Sequence, residues 1–272
     1  MAEICLGMTT SHVAFITQSP ELGDPAQVAG FRAGYGRLAQ ALADAKPDAA
    51  LLISGEHVNK FFLDNMPAFC IGLMDEFSGP VEKASGIPFR TIPSCRPLAE
   101  HLLRLGLDEG VDWAVTQNWV VDHGMAVPLH LIDPEGRVPM VPIHINCSAP
   151  PLPSARRCYA VGQWLASALR RWDEGKRVAI IATGGLSHSV GTDKMGWIDV
   201  DFDRRFLRSF CAGAAPGVAD LTDAEMEAAG NSTGEIRSWI MLAGAMAGRK
   251  VELVFYEPIA GFATGCAQCL IA

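Results

Sequence analysis

Four of the seven histidines in this 272-residue chain fall where a predicted strand gives way to a loop. His12 follows the apolar run at residues 4–8 through Thr9-Thr10-Ser11. His57 follows residues 49–54 through Gly55-Glu56, and His123 sits in Asp122-His123-Gly124, the turn after a predicted strand at 113–116. His188 closes the stretch Val178-Ala-Ile-Ile-Ala-Thr-Gly-Gly-Leu-Ser-His188, a β-branched run broken at Gly184-Gly185. Two glycines there allow a tight turn and a close backbone approach, and open α/β sheets carry their chemistry just past the C-terminal ends of buried strands. A single histidine in a turn is more often solvated or hydrogen-bonded than functional. Four at recurring positions suggest one shared site. Imidazoles bind iron or zinc, and two histidines plus one carboxylate on one face of a metal leave positions open for substrate and oxygen. Histidines that are not ligands can move protons near neutral pH.

The carboxylate is the least visible member of such a set. Glu235 lies in Ser232-Thr-Gly-Glu235, a capping box in which the glutamate closes a helix start. On the residues alone that role outweighs a ligand role. Glu56 and Asp122, each beside a motif histidine, are equal rivals. The other histidines lie elsewhere: His101 in a helix, His130 in an apolar segment, His144 in a strand.

These positions require strands that end together. Residues 4–8 read as the first strand. Asp24 and Pro25 read as N-cap and first helical position, and Val28, Phe31, Tyr35, Leu38 and Leu42 make one apolar stripe that stops near Lys46-Pro47. The strand at 49–54 follows at once, giving the strand–helix–strand unit of a parallel sheet. Residues 58–72 read as an aromatic loop suited to lining a pocket, and 73–98 as mostly loop. Helices are predicted at 98–107, 156–172, 202–211 and 223–229. A last amphipathic helix opens at Asn231 and carries Ile236, Trp239, Ile240 and Ala243. The two prolines in the strand at 138–146 suggest a sheet edge or an irregular ladder, and 251–256 reads as the final strand. The expected fold is α/β, one domain spanning 1–272, with a central, mostly parallel or mixed sheet flanked by helices.

Composition narrows the function classes. The chain is 49% hydrophobic and 19% charged, enough for a large core, with a net charge of −8 and no basic block. That disfavours nucleic acid or an anionic membrane as partner. No run of about 18 apolar residues suggests a membrane span, and the N-terminus lacks the pattern of a secretory signal. Eight scattered cysteines then read as reduced thiols in a cytoplasmic protein. Cys266-Ala-Gln-Cys269 is a lone CxxC, read as small apolar side chains rather than a zinc or redox motif.

Five ordered segments resemble the class III extradiol ring-cleaving dioxygenases, the superfamily of the protocatechuate 4,5-dioxygenase β chain and 2,3-dihydroxyphenylpropionate 1,2-dioxygenase. They are His12; Glu56-His57-Val-Asn-Lys-Phe-Phe with Met66-Pro-Ala-Phe-Cys-Ile-Gly72; Val121-Asp-His-Gly124 with Pro128-Leu129; Gly184-Gly-Leu-Ser-His188; and Ala229-Gly-Asn-Ser-Thr-Gly-Glu-Ile-Arg-Ser-Trp239. Glu56 departs from the Asp usual in relatives, and the spacer between His188 and Glu235 is shorter than in the dihydroxyphenylpropionate enzyme. The resemblance implies Fe(II) held by His12, His57 and Glu235, with His188 and His123 as catalytic acid/base groups. It implies a catecholic substrate and O2, or alternatively a 2-aminophenol. A zinc-dependent hydrolase and a non-catalytic subunit on the same fold are the rival readings. A homo-oligomer is expected, with a small accessory subunit as an option.

Overall fold

The unbroken apolar runs become β2 (Ala49–Ser54) and β8 (Arg177–Thr183), paired in parallel and buried along almost their whole length. The computed structural model describes residues 1–173, 175–214 and 216–272. Flanking that central pair are β1 (Glu3–Thr10), parallel to β8, and β7 (Met140–Ile145), parallel to β2. Continuous burial rather than alternation is what a sheet covered on both faces demands. Four parallel strands therefore end side by side, and the order β7-β2-β8-β1 is the frame of the site.

Antiparallel additions widen the sheet. β3 (Phe69–Gly72) pairs antiparallel with β7 and parallel with β6 (Ala114–Thr116). On the other side β10 (Thr264–Ile271) runs antiparallel to β1 and to β9 (Val251–Ile259). Among the described residues the sheet has eight strands, in the order β6-β3-β7-β2-β8-β1-β10-β9. A separate two-stranded sheet, β4 (Glu76–Gly79) with β5 (Arg90–Pro93), lies in the stretch read as loop.

Helices cover both faces. α1 (Phe15–Gln18) is a single turn after β1. α2 (Pro25–Ala45) starts as expected: Asp24 Oδ1 accepts from Ala26 and Gln27 N–H, 2.9 and 3.1 Å, and the stripe from Val28 to Leu42 is buried. It packs with α4 (His123–Ile132) on one face, against Ala50, Leu52 and Ile181. The other face, with Leu51, Ile53 and Ile180, carries α3 (Arg96–Glu109), α5 (Ala155–Arg170), α6 (Val200–Cys211) and α8 (Arg237–Ala245). α5 and α8 cross with backbones in contact; a Cβ on Gly162 would sit 1.9 Å from the Met241 carbonyl, so only glycine fits. α7 (Asp223–Ala228) and a 3-10 turn at Thr233–Ile236 lead into α8. The result is an α/β fold with a mixed sheet between two helical layers, as the sequence implied.

Several elements differ from expectation. Residues 69–72 are a strand, not loop, and the last strand is β10, not the one at 251–256. Residues 123–132 form a helix despite Pro128, with Asp122 as its N-cap. β7 is interior, so of the two readings of its prolines the irregular ladder holds and the edge does not: its antiparallel ladder with β3 stops at Ile71–Ile143, one residue before Pro142 would have to donate. α8 is buried on every face, so it is not amphipathic. Cys266 and Cys269 point to opposite faces of β10, each into a different core, which accords with their reading as apolar fillers.

Candidate active site and metal centre

Three of the four strand-end histidines sit as expected. His12, His57 and His188 follow β1, β2 and β8 at the shared C-terminal edge. His123 arrives by another route. β6 runs against those strands, so its end lies at the far edge of the sheet, and His123 returns as the first residue of α4. All four nevertheless line one cavity of about 460 Å³ together with Glu235.

Glu235 lies on the 3-10 turn before α8, and no capping bond forms from Ser232. Its carboxylate turns inward instead. Oε2 accepts from Gly185 N–H at 2.6 Å and lies 3.0 Å from His12 Nε2; Oε1 lies 3.3 Å from His57 Nε2 and 3.5 Å from His188 Nε2. The two glycines at the end of β8 explain this approach, because a Cβ on Gly184 would stand 2.8 Å from the Glu235 carbonyl. They bring the strand against Glu235 rather than directly against a ligand. Burial alone would raise the Glu235 carboxyl, but His12 and His188 facing it hold it well below the usual range.

Each imidazole is oriented through its other nitrogen. His12 Nδ1 is 3.2 Å from Thr183 Oγ1, and Thr183 is 2.7 Å from the Gly124 carbonyl, which can only accept. Thr183 must therefore donate to Gly124 and accept from His12, which puts the ring proton on Nδ1. His12 Nε2 is then a bare lone pair facing a carboxylate oxygen, buried and without a hydrogen-bond partner. Asp122 Oδ2 accepts from His57 Nδ1–H at 2.9 Å and from its backbone N–H at 2.7 Å. Burial alone would lower the His57 imidazolium, but Asp122 and then Glu235 hold it well above the ordinary histidine value. His188 Nδ1 is 2.8 Å from the Leu186 carbonyl, leaving Nε2 free as an acceptor. Burial pulls this ring down also, and Glu235 more than offsets it, so its pKa is raised.

His123 stacks on His57, ring centroids 4.2 Å apart, and its Nδ1 is 2.7 Å from Glu82 Oε1. One ligating nitrogen from each of His12, His57 and His123 lies within 4.8 Å of the others. The fit to a cation is physical: the Nε2 atoms of His12 and His57 converge on the buried Glu235 carboxylate, where a positive charge is favoured. A divalent metal would supply that charge, and carboxylates clamping the outer nitrogens are the usual support for metal-binding imidazoles. Histidine and carboxylate donors with open positions suit a first-row transition metal.

The rival carboxylates have other work. Glu56 accepts the backbone N–H groups of Asn59, Lys60 and Phe61, shaping the loop after His57. Asp122 is a clamp on His57. Val58 sits in the left-handed region at φ 58, an uncommon conformation for a β-branched residue and a mark of a tightly constrained loop. Sequence reasoning missed Glu82, which lay in the stretch read as loop, and Thr183, whose position at the end of β8 was a usable signal. His101, bonded to the Ala168 carbonyl at 2.9 Å, and His144, buried against Phe61, lie outside the group.

Residues 6–265 match the family model for the catalytic LigB subunit of aromatic ring-opening dioxygenase. The chain is similar to a Photorhabdus laumondii protein named 2,3-dihydroxyphenylpropionate/2,3-dihydroxicinnamic acid 1,2-dioxygenase, 28% identical over 86% of this chain and 87% of that one. A Paraburkholderia xenovorans protein of the same name is 29% identical, covering 80% and 82% respectively. The crystal structure of an uncharacterized Escherichia coli K12 protein superposes with a TM-score of 0.62 over 98% of this chain and 100% of that one; at 15% identity this speaks for the fold alone.

Proposed function

The chain belongs to the family of catalytic LigB subunits of aromatic ring-opening dioxygenases, and from that premise we propose that it opens the ring of a catecholic compound beside its two hydroxyls, using O2 and Fe(II). His12, His57 and Glu235 are the ligands in this reading; His188 and His123 are the acid/base groups. The observation that carries it is the buried, partnerless Nε2 of His12 aimed at a Glu235 carboxylate that also faces His57. Fe(II), when bound there, would bring the two adjacent catechol oxygens and O2 to one centre and ease loss of a hydroxyl proton.

The protein's own groups supply orientation and proton movement. His188 keeps Nε2 free because Leu186 holds its Nδ1–H, so Nε2 accepts the proton of a substrate hydroxyl and later returns it to a departing oxygen. Glu82 fixes the His123 ring through both its Nδ1–H and its backbone N–H. That leaves His123 Nε2 to hydrogen-bond a second substrate oxygen. Asp122 and Thr183 keep His57 and His12 in the tautomers that offer Nε2. Phe15, Met195 and Phe262 give the cavity an apolar wall for the ring.

The test is oxygen uptake by Fe(II)-reconstituted protein against catechols, gallates and 2-aminophenols. Uptake with appearance of a semialdehyde-type product is expected for a catechol. Hydrolytic activity dependent on zinc, with no oxygen consumed, would sink the proposal. The reading extends to one catalytic domain over 1–272 and to a cytoplasmic homo-oligomer. Among the described residues no helix is long and apolar enough to cross a membrane.

A further inference from the structure

The relatives compared above are named for substrates whose side chain ends in a carboxylate. The cavity of this chain offers no counterpart for one. Away from the five site residues its wall includes Val13, Ala14, Phe15, Val58, Met195 and Phe262, and its remaining polar liners, Gln18 and three hydroxyl residues, are neutral. No lysine or arginine lines it among the described residues. Of the cations on the surrounding segments, Arg32, Lys60, Lys83 and Lys194, none is among the lining residues. Arg32 donates from Nη2 to the Ile16 carbonyl at 3.1 Å, and Lys194 holds its ammonium 5.5 Å over the Trp197 ring. The acidic side chains at the site, Glu235 on the cavity wall and Glu82 behind His123, offer a substrate carboxylate no counter-charge. A substrate carboxylate would meet apolar wall, neutral dipoles and negative charge, and a desolvated carboxylate without a cationic partner is strongly disfavoured.

The apolar wall also has a shape. The rings of Phe15 and Phe262 lie 6.1 Å apart, tilted by 33°, at one side of the cavity. At about 460 Å³ the space falls in the range of pockets for multi-ring ligands. Resting on the ring-cleavage reading, we infer that this enzyme takes catechols with an uncharged apolar substituent, an aryl group above all, and discriminates against carboxylated ones.

The experiment compares 3-phenylcatechol with 3-(2,3-dihydroxyphenyl)propionate on the Fe(II)-reconstituted full chain. It reads kcat/KM by oxygen uptake and, separately, anaerobic affinity by equilibrium dialysis. A preference for the phenyl compound on the order of 100-fold is expected in kcat/KM, with the same order in affinity. Met195→Arg, which places a cation on the wall, should narrow the ratio about tenfold. Equal or better use of the propionate would overturn the inference, and so would a ratio unmoved by Met195→Arg. Loss of propionate turnover alone in Lys194→Ala would overturn it too, by identifying Lys194 as the receptor. Absence of oxygen uptake with any catechol would instead remove the ring-cleavage reading, while dialysis would still rank the two ligands and decide the present point.

Discussion

Asp122 and Asp203 are both buried, yet their carboxyls are shifted in opposite directions. Burial alone would raise either. At Asp122 the His57 ring, 2.9 Å away, overrides burial and holds the group well below the usual range. Asp203 accepts from Ser187 N–H at 2.8 Å and from the Tyr256 hydroxyl at 3.0 Å, with no ion pair to a cation among the described residues, and burial raises its carboxyl to about 6. Neutral donors are not enough to offset the desolvation of a charge. Each aspartate steadies a loop that carries a site histidine: Asp122 the one bearing His57, Asp203 the one bearing His188. The first is part of an electrostatic chain that ends at Glu235, whereas the second is a backbone clamp. Glu82 and His123 repeat the Asp122–His57 arrangement at the half-exposed edge of the cavity.

The largest effects should come from the end of that chain. His12→Ala, His57→Ala and Glu235→Ala should each leave a folded protein that retains almost no iron after dialysis, with turnover lost. Were Glu235 only a helix cap, its loss would cost about 0.5–2 kcal/mol of stability and leave iron in place. Iron retained in full by Glu235→Ala would end the assignment. Next in size is His188→Gln, which should keep stoichiometric iron while kcat falls roughly 10²–10⁴-fold. Iron loss in that variant would mean that the division between ligands and proton carriers is drawn wrongly.

Asp122→Asn against Glu82→Gln tests whether the two carboxylate clamps differ as their burial suggests. Asp122→Asn should weaken iron affinity by about 10–100-fold, since it removes the charge that orients and polarises a ligand. Glu82→Gln should leave iron affinity unchanged and alter kcat less, because His123 is not a ligand in this reading. Equal losses of affinity in the two variants, measured by chelator competition, would make His123 a ligand.

What could be read in the sequence follows the same physics. The strand at 49–54 and the helix at 25–45 were legible because one is apolar throughout and the other carries a cap, a proline and a single stripe. α4 was not, because it is buried nearly all round and holds Pro128, so neither period nor propensity marks it. β10, Thr-Gly-Cys-Ala-Gln-Cys-Leu-Ile, carries few of the β-branched residues that announce a strand. At the site, the residues that family resemblance named converge on one cavity, whereas residue-level reasoning placed Glu235 in a cap. Side-chain direction decided that case, and spacing along the chain does not encode it. Glu82 was out of reach for a similar reason: it meets His123 from 41 positions away along the chain, with no local motif to mark it.

The smallest effect belongs to Asp203 and concerns stability rather than turnover. Its folded pKa of about 6 stands above the ordinary 3.8, so between those values the folded chain binds more proton than the unfolded one. The sign follows by linkage: this group's contribution is most favourable below pH 3.8 and is lost as pH rises through 6. From pH 5 to pH 7 that loss is roughly 1 kcal/mol, or about 2–4 °C in melting temperature for a chain of this size. Asp203→Asn removes the titration while keeping the contacts. Its amide oxygen can still accept from Ser187 N–H, and its amide nitrogen can donate to the Tyr256 hydroxyl. The metal-free variant should therefore gain on metal-free wild type as pH is raised from 5 to 7. Using metal-free protein for both cancels the titration of the site histidines, which the two share. Melting curves that stay parallel across that range would show that Asp203 is ionised throughout. The contrast with Asp122 would then rest on something other than the missing cation.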